Sequence, residues 1–288
     1  MALTGKTKVF GVIGDPIEHS LSPVMQNAAF VSSKIDCAFL AFNVKSTDIG
    51  KAMDGVRALG IQGLNVTMPH KTAVLSFLDE VDQTAKSLKA VNTVKNEDGK
   101  LFGFNTDGVG AMAALKENGV ELEGKKIMLL GAGGAARAIG FALAEQASEL
   151  SILNRSIQPA AELADLLYQK FNSKVFAYAL SPLTVRGALV DADLLINATS
   201  VGMEPNANDS LVDPKWLKPD LAVMDIVYNP IETKLAKNAK NAGAKVVSGV
   251  EMLIYQGVAS FEIWTGQKAP VEVMRETALN HLRKEQKS

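Results

Sequence analysis

The chain has 288 residues, 30 of them basic and 31 acidic, for a net charge of −1. That balance excludes the basic excess a nucleic-acid surface needs, and no stretch approaches the ~18 uncharged apolar residues of a membrane span. The length predicts two domains with room for buried cores.

The first residues lack the apolar segment of a secretory signal, so a cytoplasmic setting is expected. Cys37, the only cysteine, lies in an apolar run that points to core packing. His19, His70 and His281 are scattered without ligand spacing, so no metal is expected.

Strand and helix patterns alternate from end to end, which predicts an α/β chain with parallel sheets. In the first third, 9–13, 38–44 and 63–68 read as strands, with helices near 23–33 and 46–59 between them. Segments 91–95 and 100–104 flank Asn96-Glu97-Asp98-Gly99, a hairpin signal. A helix from 107 stops at Asn118-Gly119. A second unit starts near Gly124, with strands at 126–130, 149–153, 174–178, 193–198, 221–227 and 245–248, enough for a doubly wound sheet. An apolar helix over 252–264 and an amphipathic one over 270–284 follow, the latter expected to cross back to the first domain. The predicted division is 1–108 plus a returning helix at about 265–288, and 109–264 as the nucleotide-binding domain. The polar tail from Arg283 to Ser288 is expected to fray.

Between strand 126–130 and a helical pattern, residues 131–136 read Gly-Ala-Gly-Gly-Ala-Ala. Gly131 permits a tight turn, Gly133 lets the backbone approach a pyrophosphate, and Ala136 lets helix and strand pack closely. The helix N-terminus then offers N–H groups and partial positive charge to the anion. The next strand ends in Asn154-Arg155-Ser156, where an NAD-binding fold usually places an acidic residue on the ribose 2′-hydroxyl. A carboxylate would repel a 2′-phosphate and Arg155 pairs with one, which favours NADP over NAD.

Three islands in the first domain place polar groups where strands end. In His19-Ser20-Leu21-Ser22-Pro23, Ser22 reads as a helix cap before proline, leaving Ser20 free for a ligand carboxylate or hydroxyl. In the run from Asn65 to Lys71, Asn65 and Thr67 share a strand face and Lys71 lies past the strand's carboxyl end. Asn65 serves either strand-end backbone groups or a substrate, and His70 packs or caps. The third island joins Asn92-Thr93 to Asn105-Thr106-Asp107.

Together the islands resemble the shikimate dehydrogenase family (shikimate/quinate dehydrogenases) over essentially the whole chain. The strings that carry this are Ser20-Leu-Ser-Pro23, Asn65-Val-Thr-Met-Pro-His-Lys71, Ala90-Val-Asn-Thr93 and Asn105-Thr-Asp-Gly108. Further on come Gly131-Ala-Gly-Gly-Ala135, Asn154-Arg-Ser156, Asn197-Ala-Thr-Ser-Val-Gly202 and Asp225-Ile-Val-Tyr-Asn-Pro230. The resemblance implies reversible NADP-dependent reduction of 3-dehydroshikimate to shikimate, in aromatic amino acid (chorismate) biosynthesis. It implies a substrate domain and a Rossmann domain facing each other across a cleft. Ser20, Ser22, Thr67, Asn92, Asp107, Tyr228 and Gln256 would hold the substrate, with Lys71 and Asp107 the catalytic pair. Gly131, Ala132, Gly133, Gly134, Ala135, Asn154, Arg155 and Ser156 would hold the cofactor's adenosine and phosphates, and Ile226 and Gly249 would line its nicotinamide side. Thr199 and Ser200, after the strand at 193–198, read as a loop turn or, preferably, a nicotinamide contact. A homodimer is the expected assembly.

The chemistry points the same way. Oxidising a secondary alcohol removes a proton from oxygen as hydride leaves carbon for the nicotinamide, so a side chain in reach must take that proton. With no well-placed histidine, Lys71 and Asp107 are the candidates, expected as one coupled pair. Lys71 would meet the reacting oxygen as base or charge stabiliser, and Asp107 would orient the alcohol and the ammonium.

Three residues depart from the family pattern or refine it. Lys89 stands where glycine is usual, so a different local backbone is expected. Pro159 stands where NADP-preferring members commonly carry a cation, leaving Arg155 as the main 2′-phosphate partner. Phe39 stands where the quinate/shikimate branch tends to carry tyrosine, which with Thr67 favours shikimate. The competing readings are a quinate/shikimate dehydrogenase using NAD, a related reductase of folate-like or aminoacyl substrates, and a non-catalytic nucleotide sensor.

Overall fold

In the computed structural model, which describes residues 3–286, the early apolar runs form β1 (Lys8–Gly14), β2 (Cys37–Asn43) and β3 (Gly63–Val66), separated by α1 (Ser22–Ser32) and α2 (Ile49–Ala58). β1 is flanked by β2 and β3 and pairs parallel with both. Next come β4 (Glu80–Val81), α3 (Gln83–Leu88), β5 (Thr93–Glu97), β6 (Lys100–Phe104) and α4 (Asp107–Glu117). Asp98 and Gly99 have φ of +52° and +89°, the backbone of a tight hairpin turn. β5 accordingly pairs antiparallel with β6, and also with β3. The first sheet, ordered β2-β1-β3-β5-β6-β4, is therefore mixed rather than parallel, because so short a connection joins only antiparallel neighbours. β4, α3 and a turn at Ala73–Phe77 fall outside the predicted elements; they are too short to display a hydrophobic period.

The second unit runs β7 (Lys126–Leu130), α5 (Gly134–Leu143), β8 (Glu149–Asn154), α6 (Ile157–Phe171), β9 (Val175–Ala179), α7 (Pro182–Val190), β10 (Leu194–Asn197), β11 (Ala222–Asp225), α8 (Lys234–Asn241) and β12 (Lys245–Ser248). All its strand pairs are parallel, in the order β12-β11-β10-β7-β8-β9. This is the doubly wound dinucleotide order, whose winding reverses between β7 and β10. Met128, Leu153, Leu195 and Val223 fill its core against Val185, Leu189, Leu235 and Ala239.

The chain ends in α9 (Gly249–Thr265) and α10 (Val271–Glu285). Residues through Gly110 and from Ile254 onward form one compact unit, and Ala111–Leu253 the other. The returning segment thus begins inside α9, ahead of the residue 265 expected from the sequence. The cause is aromatic: Trp264 lies 5.2 Å from Phe10 and 5.9 Å from Phe39, and Phe261 lies 5.6 Å from Phe30, between ring centroids. Trp264 Nε1 donates to Val94 O at 2.9 Å, and Gly63 makes room, since a Cβ there would sit 2.7 Å from the indole Cδ1. Phe39 is 1% exposed, a core residue. Cys37 is also buried, and burial pushes its thiol up.

α10 buries Met274, Ala278 and Leu282 and packs on α1. Anchored in this way, Arg283, Lys284 and Glu285 stay helical rather than frayed; residues 287 and 288 of the tail lie outside the described residues. No helix among the described residues is long and apolar enough to cross a membrane.

Lys89 closes α3 in the left-handed region, at φ 53° and ψ 39°, its N–H turned back toward Ala85 O and Lys86 O. The lysine thus occupies a backbone conformation that glycine adopts without a Cβ penalty. Lys89→Gly should stabilise the protein by about 0.5–1 kcal/mol, read as a higher denaturant midpoint with unchanged slope. A lower midpoint would show that the lysine side chain repays its own strain.

Candidate active site

In the first unit the chain leaves β3 through Thr67. Gly14 makes way for it, because a Cβ there would lie 2.6 Å from Thr67 Cγ2. Thr67 N donates to Ile13 O at 3.0 Å, and Thr67 O accepts from His70 N at 2.9 Å. His70 is fully buried and its Nε2 donates to Val44 O at 2.6 Å, so it anchors the loop that presents Lys71. Lys71 O then accepts from Val91 N at 2.8 Å, tying this loop to the segment that carries Asn92.

Asp107 opens α4. Its Oδ2 receives Lys71 Nζ at 2.5 Å and its Oδ1 receives Asn92 Nδ2 at 2.8 Å. Its N–H donates to Asn105 Oδ1 at 3.1 Å, while Asn105 Nδ2 donates to Ala90 O at 3.0 Å. The Asp107 side chain is 8% exposed and that of Lys71 23%. An ammonium and a carboxylate 36 positions apart in the chain are thus held in contact at a partly open surface. Gln256 reaches the same unit on α9: Gly110, one turn past Asp107, would bring a Cβ to 2.6 Å from Gln256 N. Only glycine allows α4 and α9 to meet so closely.

Ser22 does not take the capping part expected of it. Ser22 lies within α1 and makes no side-chain cap, whereas Ser20 Oγ accepts from Ser22 N at 3.3 Å. The serine two places upstream reaches the free N–H because the helix begins one residue earlier than Pro23 suggests. Asn65 is buried, with Nδ2 donating to Ser260 Oγ at 3.0 Å and to Asn92 O and Thr93 Oγ1 at 3.2 Å each.

In the second unit, glycines gather at the point where the winding reverses. Gly131 has φ +103°, and a Cβ there would lie 2.9 Å from Ala198 O. Gly133 and Gly134 differ, since a Cβ on either meets nothing within 4 Å. The protein's own packing does not require them to be glycine; a close external ligand would. α5 starts here without a side-chain cap, which leaves its first N–H groups to an anion. Ala132 is buried and Ala135 half-buried beside them. Asn154 Nδ2 donates to Ser156 O at 2.9 Å, shaping the β8–α6 turn. Arg155 stands exposed there, and among the described residues no ion pair involves it.

The ends of β10, β11 and β12 carry a third group. Asn197 Oδ1 accepts from Thr199 Oγ1 at 2.7 Å, and Asn197 Nδ2 donates to Asp225 Oδ1 at 2.9 Å. A Cβ on Gly249 would collide with Ile226 O and lie 2.7 Å from Asp225 O. Thr199, Ile226 and Gly249 are thereby gathered, with Tyr228 half-buried in the Ile226 loop and Ser200 exposed.

Residues 12–94 match the shikimate dehydrogenase substrate binding domain, 112–242 the shikimate/quinate 5-dehydrogenase domain, and 249–279 the shikimate 5′-dehydrogenase C-terminal domain. A shikimate dehydrogenase (NADP+) of Methanopyrus kandleri is 49% identical over 286 residues, 98% of this chain and 99% of the relative. The chain belongs to the shikimate dehydrogenase family. A solved shikimate dehydrogenase in complex with NADP+ is similar at a TM-score of 0.91 and 42% identity, over 98% of each chain. Another, from Listeria monocytogenes in complex with shikimate and NAD, has a TM-score of 0.91 and 38% identity over 96% of this chain and 98% of its own.

The family's cofactor fits what is present: an open glycine cradle at an uncapped helix start and an unpaired guanidinium at the end of β8 suit a pyrophosphate and a 2′-phosphate. Sequence reading passed over Ser260, and it quoted Thr93, Asn197 and Asp225 within motifs without giving them a role. The available signal for Ser260 was a hydroxyl inside an apolar helix, four residues after Gln256.

Asp225 is 2% exposed and accepts from Thr233 Oγ1 at 2.6 Å and Val227 N at 3.1 Å as well as from Asn197. Burial pushes its carboxyl up, against the pull of these donors. A carboxyl raised in the folded state contributes stability that is full below the unfolded pKa and lost as pH rises through the folded one. Tm should therefore fall across that window, and Asp225→Asn should flatten the fall. An equally steep decline in the variant would detach it from Asp225.

Proposed function

We propose that this chain interconverts 3-dehydroshikimate and shikimate with NADP(H), the reducing direction serving chorismate biosynthesis in the cytoplasm. The observation that carries this is the contact of Lys71 Nζ with Asp107 Oδ2, the other carboxylate oxygen being held by Asn92. The first unit takes the substrate and the second takes NADP.

Bound NADPH supplies the hydride. Lys71 Nζ donates the proton that the ketone oxygen needs as it becomes a hydroxyl, and in the reverse direction takes it back. At 23% exposure its side chain can regain a proton from water. Asp107 holds the ammonium in place and accepts from the substrate hydroxyl, its geometry set by Asn92 and by Asn105 at its own N–H. Ser20, Ser22, Thr67, Asn92, Tyr228 and Gln256 supply hydroxyl and amide groups suited to a carboxylate and vicinal hydroxyls. Gly131 to Ala135 and Asn154 to Ser156 hold the dinucleotide, with Thr199, Ile226 and Gly249 on its nicotinamide side.

Use of NAD as a second cofactor is favoured by one feature: the first turn of α6 carries Pro159 rather than a cation, so discrimination rests on Arg155.

Lys71→Ala should lower kcat for shikimate oxidation by about 10²–10⁴-fold with little change in KM. Near-normal kcat would remove Lys71 from the chemistry. Arg155→Ala should cut kcat/KM for NADP by about tenfold and leave NAD untouched. Assays of shikimate and quinate against both cofactors provide the reference, and an NAD-favouring parent enzyme would contradict the role given to Arg155.

A further inference from the structure

We infer that Ser260, on α9, is a positioning residue for the reaction, acting through Thr93 and Asn92 on the Asp107 carboxylate. This role presupposes that Lys71 and Asp107 are the reacting pair. A buried helical serine can satisfy itself on the carbonyl one turn back, and Gln256 O does lie 3.0 Å from Ser260 Oγ. That bond needs no polar neighbours, yet three converge on the hydroxyl. Thr93 Oγ1 is at 2.8 Å, Asn65 Nδ2 at 3.0 Å and Thr106 Oγ1 at 3.4 Å. Ser260 and Thr93 are 0% exposed, and Asn92, Thr106 and Asn65 are nearly as buried.

Valence narrows the donor directions. Asn65 Nδ2 can only donate and Asn92 Oδ1 can only accept. Each hydroxyl has one proton. Asn65 fills a lone pair on Ser260, whose one proton faces two acceptors, Gln256 O at 3.0 Å and the nearer Thr93 Oγ1 at 2.8 Å. The Thr93 proton then goes to Asn92 Oδ1 at 3.1 Å, beside the Thr106 N–H at 2.8 Å. With donors on its oxygen, the Asn92 amide cannot flip, since a flip would set NH₂ against N–H and oxygen against carboxylate. Its Nδ2 is therefore committed to Asp107 Oδ1, which leaves Asp107 Oδ2 for Lys71. In a dry interior such a chain also strengthens its last bond.

The test uses the full chain, with shikimate oxidation followed by nicotinamide absorbance and folding by thermal melts. Ser260→Ala should lower kcat by about tenfold while KM for NADP stays within about twofold. Thr93→Val, which keeps shape and strand propensity, should lose as much, and Thr93→Ser, which keeps the hydroxyl, should regain activity to within about twofold. In an Asn92→Ala background, Ser260→Ala should add less than about twofold, because the link it acts through is gone. The relay is overturned if Ser260→Ala retains full kcat, if the two Thr93 variants behave alike, or if the Ser260 and Asn92 losses multiply. An inactive Lys71→Ala beside a neutral Ser260→Ala removes the relay alone, whereas an active Lys71→Ala removes both.

Discussion

A carboxylate at 8% exposure calls for donors on its oxygens. Asp107 meets that condition with one donor from the exit of β3 and another from the entry of β5. The mixed sheet is what brings them together. Because β5 runs antiparallel to β3 and β6, its first residues lie beside the last residues of both. Val66 N donates to Asn92 O at 2.8 Å and Asn92 N donates to Phe104 O at 3.0 Å, so three strand ends share one edge. In an all-parallel sheet, Asn92 would sit at the opposite end from Lys71 and Asp107.

Glycine occurs in two separate settings in the molecule. At Gly14, Gly63, Gly110, Gly131 and Gly249, another part of the same chain occupies the space a Cβ would take. These positions set how closely strand exits and helices approach the polar groups. At Gly133 and Gly134 the space is open, and no neighbour within the chain calls for a missing side chain. The second unit repeats the logic of the first with a buried carboxylate: Asp225 orients Asn197, which orients Thr199, and all three lie at strand ends.

Much was legible in the chain. The doubly wound unit declared itself through apolar strands, the glycine turn and the Asn154-Arg155 ending, and its strands at Lys126–Leu130 and Lys245–Ser248 carry the expected limits. The Asp98-Gly99 hairpin was equally plain. The antiparallel β5–β6 pair was legible in that hairpin, but the antiparallel pairing of β5 with β3 was not, because periodicity reports which residues are buried and is silent on strand direction. Ser22 departs for a related reason: local pattern assigned it the helix cap, whereas the helix starts at Ser22 itself and its N–H donates to Ser20 Oγ.

By itself the amino-acid order determined the two-unit α/β plan and the glycine turn between strand and helix, because each of these depends on neighbours within a few residues. Tertiary structure decided the rest: the contact between positions 71 and 107, the early return of α9, and the hydroxyl of Ser260 behind Asn92. These are meetings of segments far apart along the backbone, and only the packing of sheet against helix brings their atoms within bonding distance.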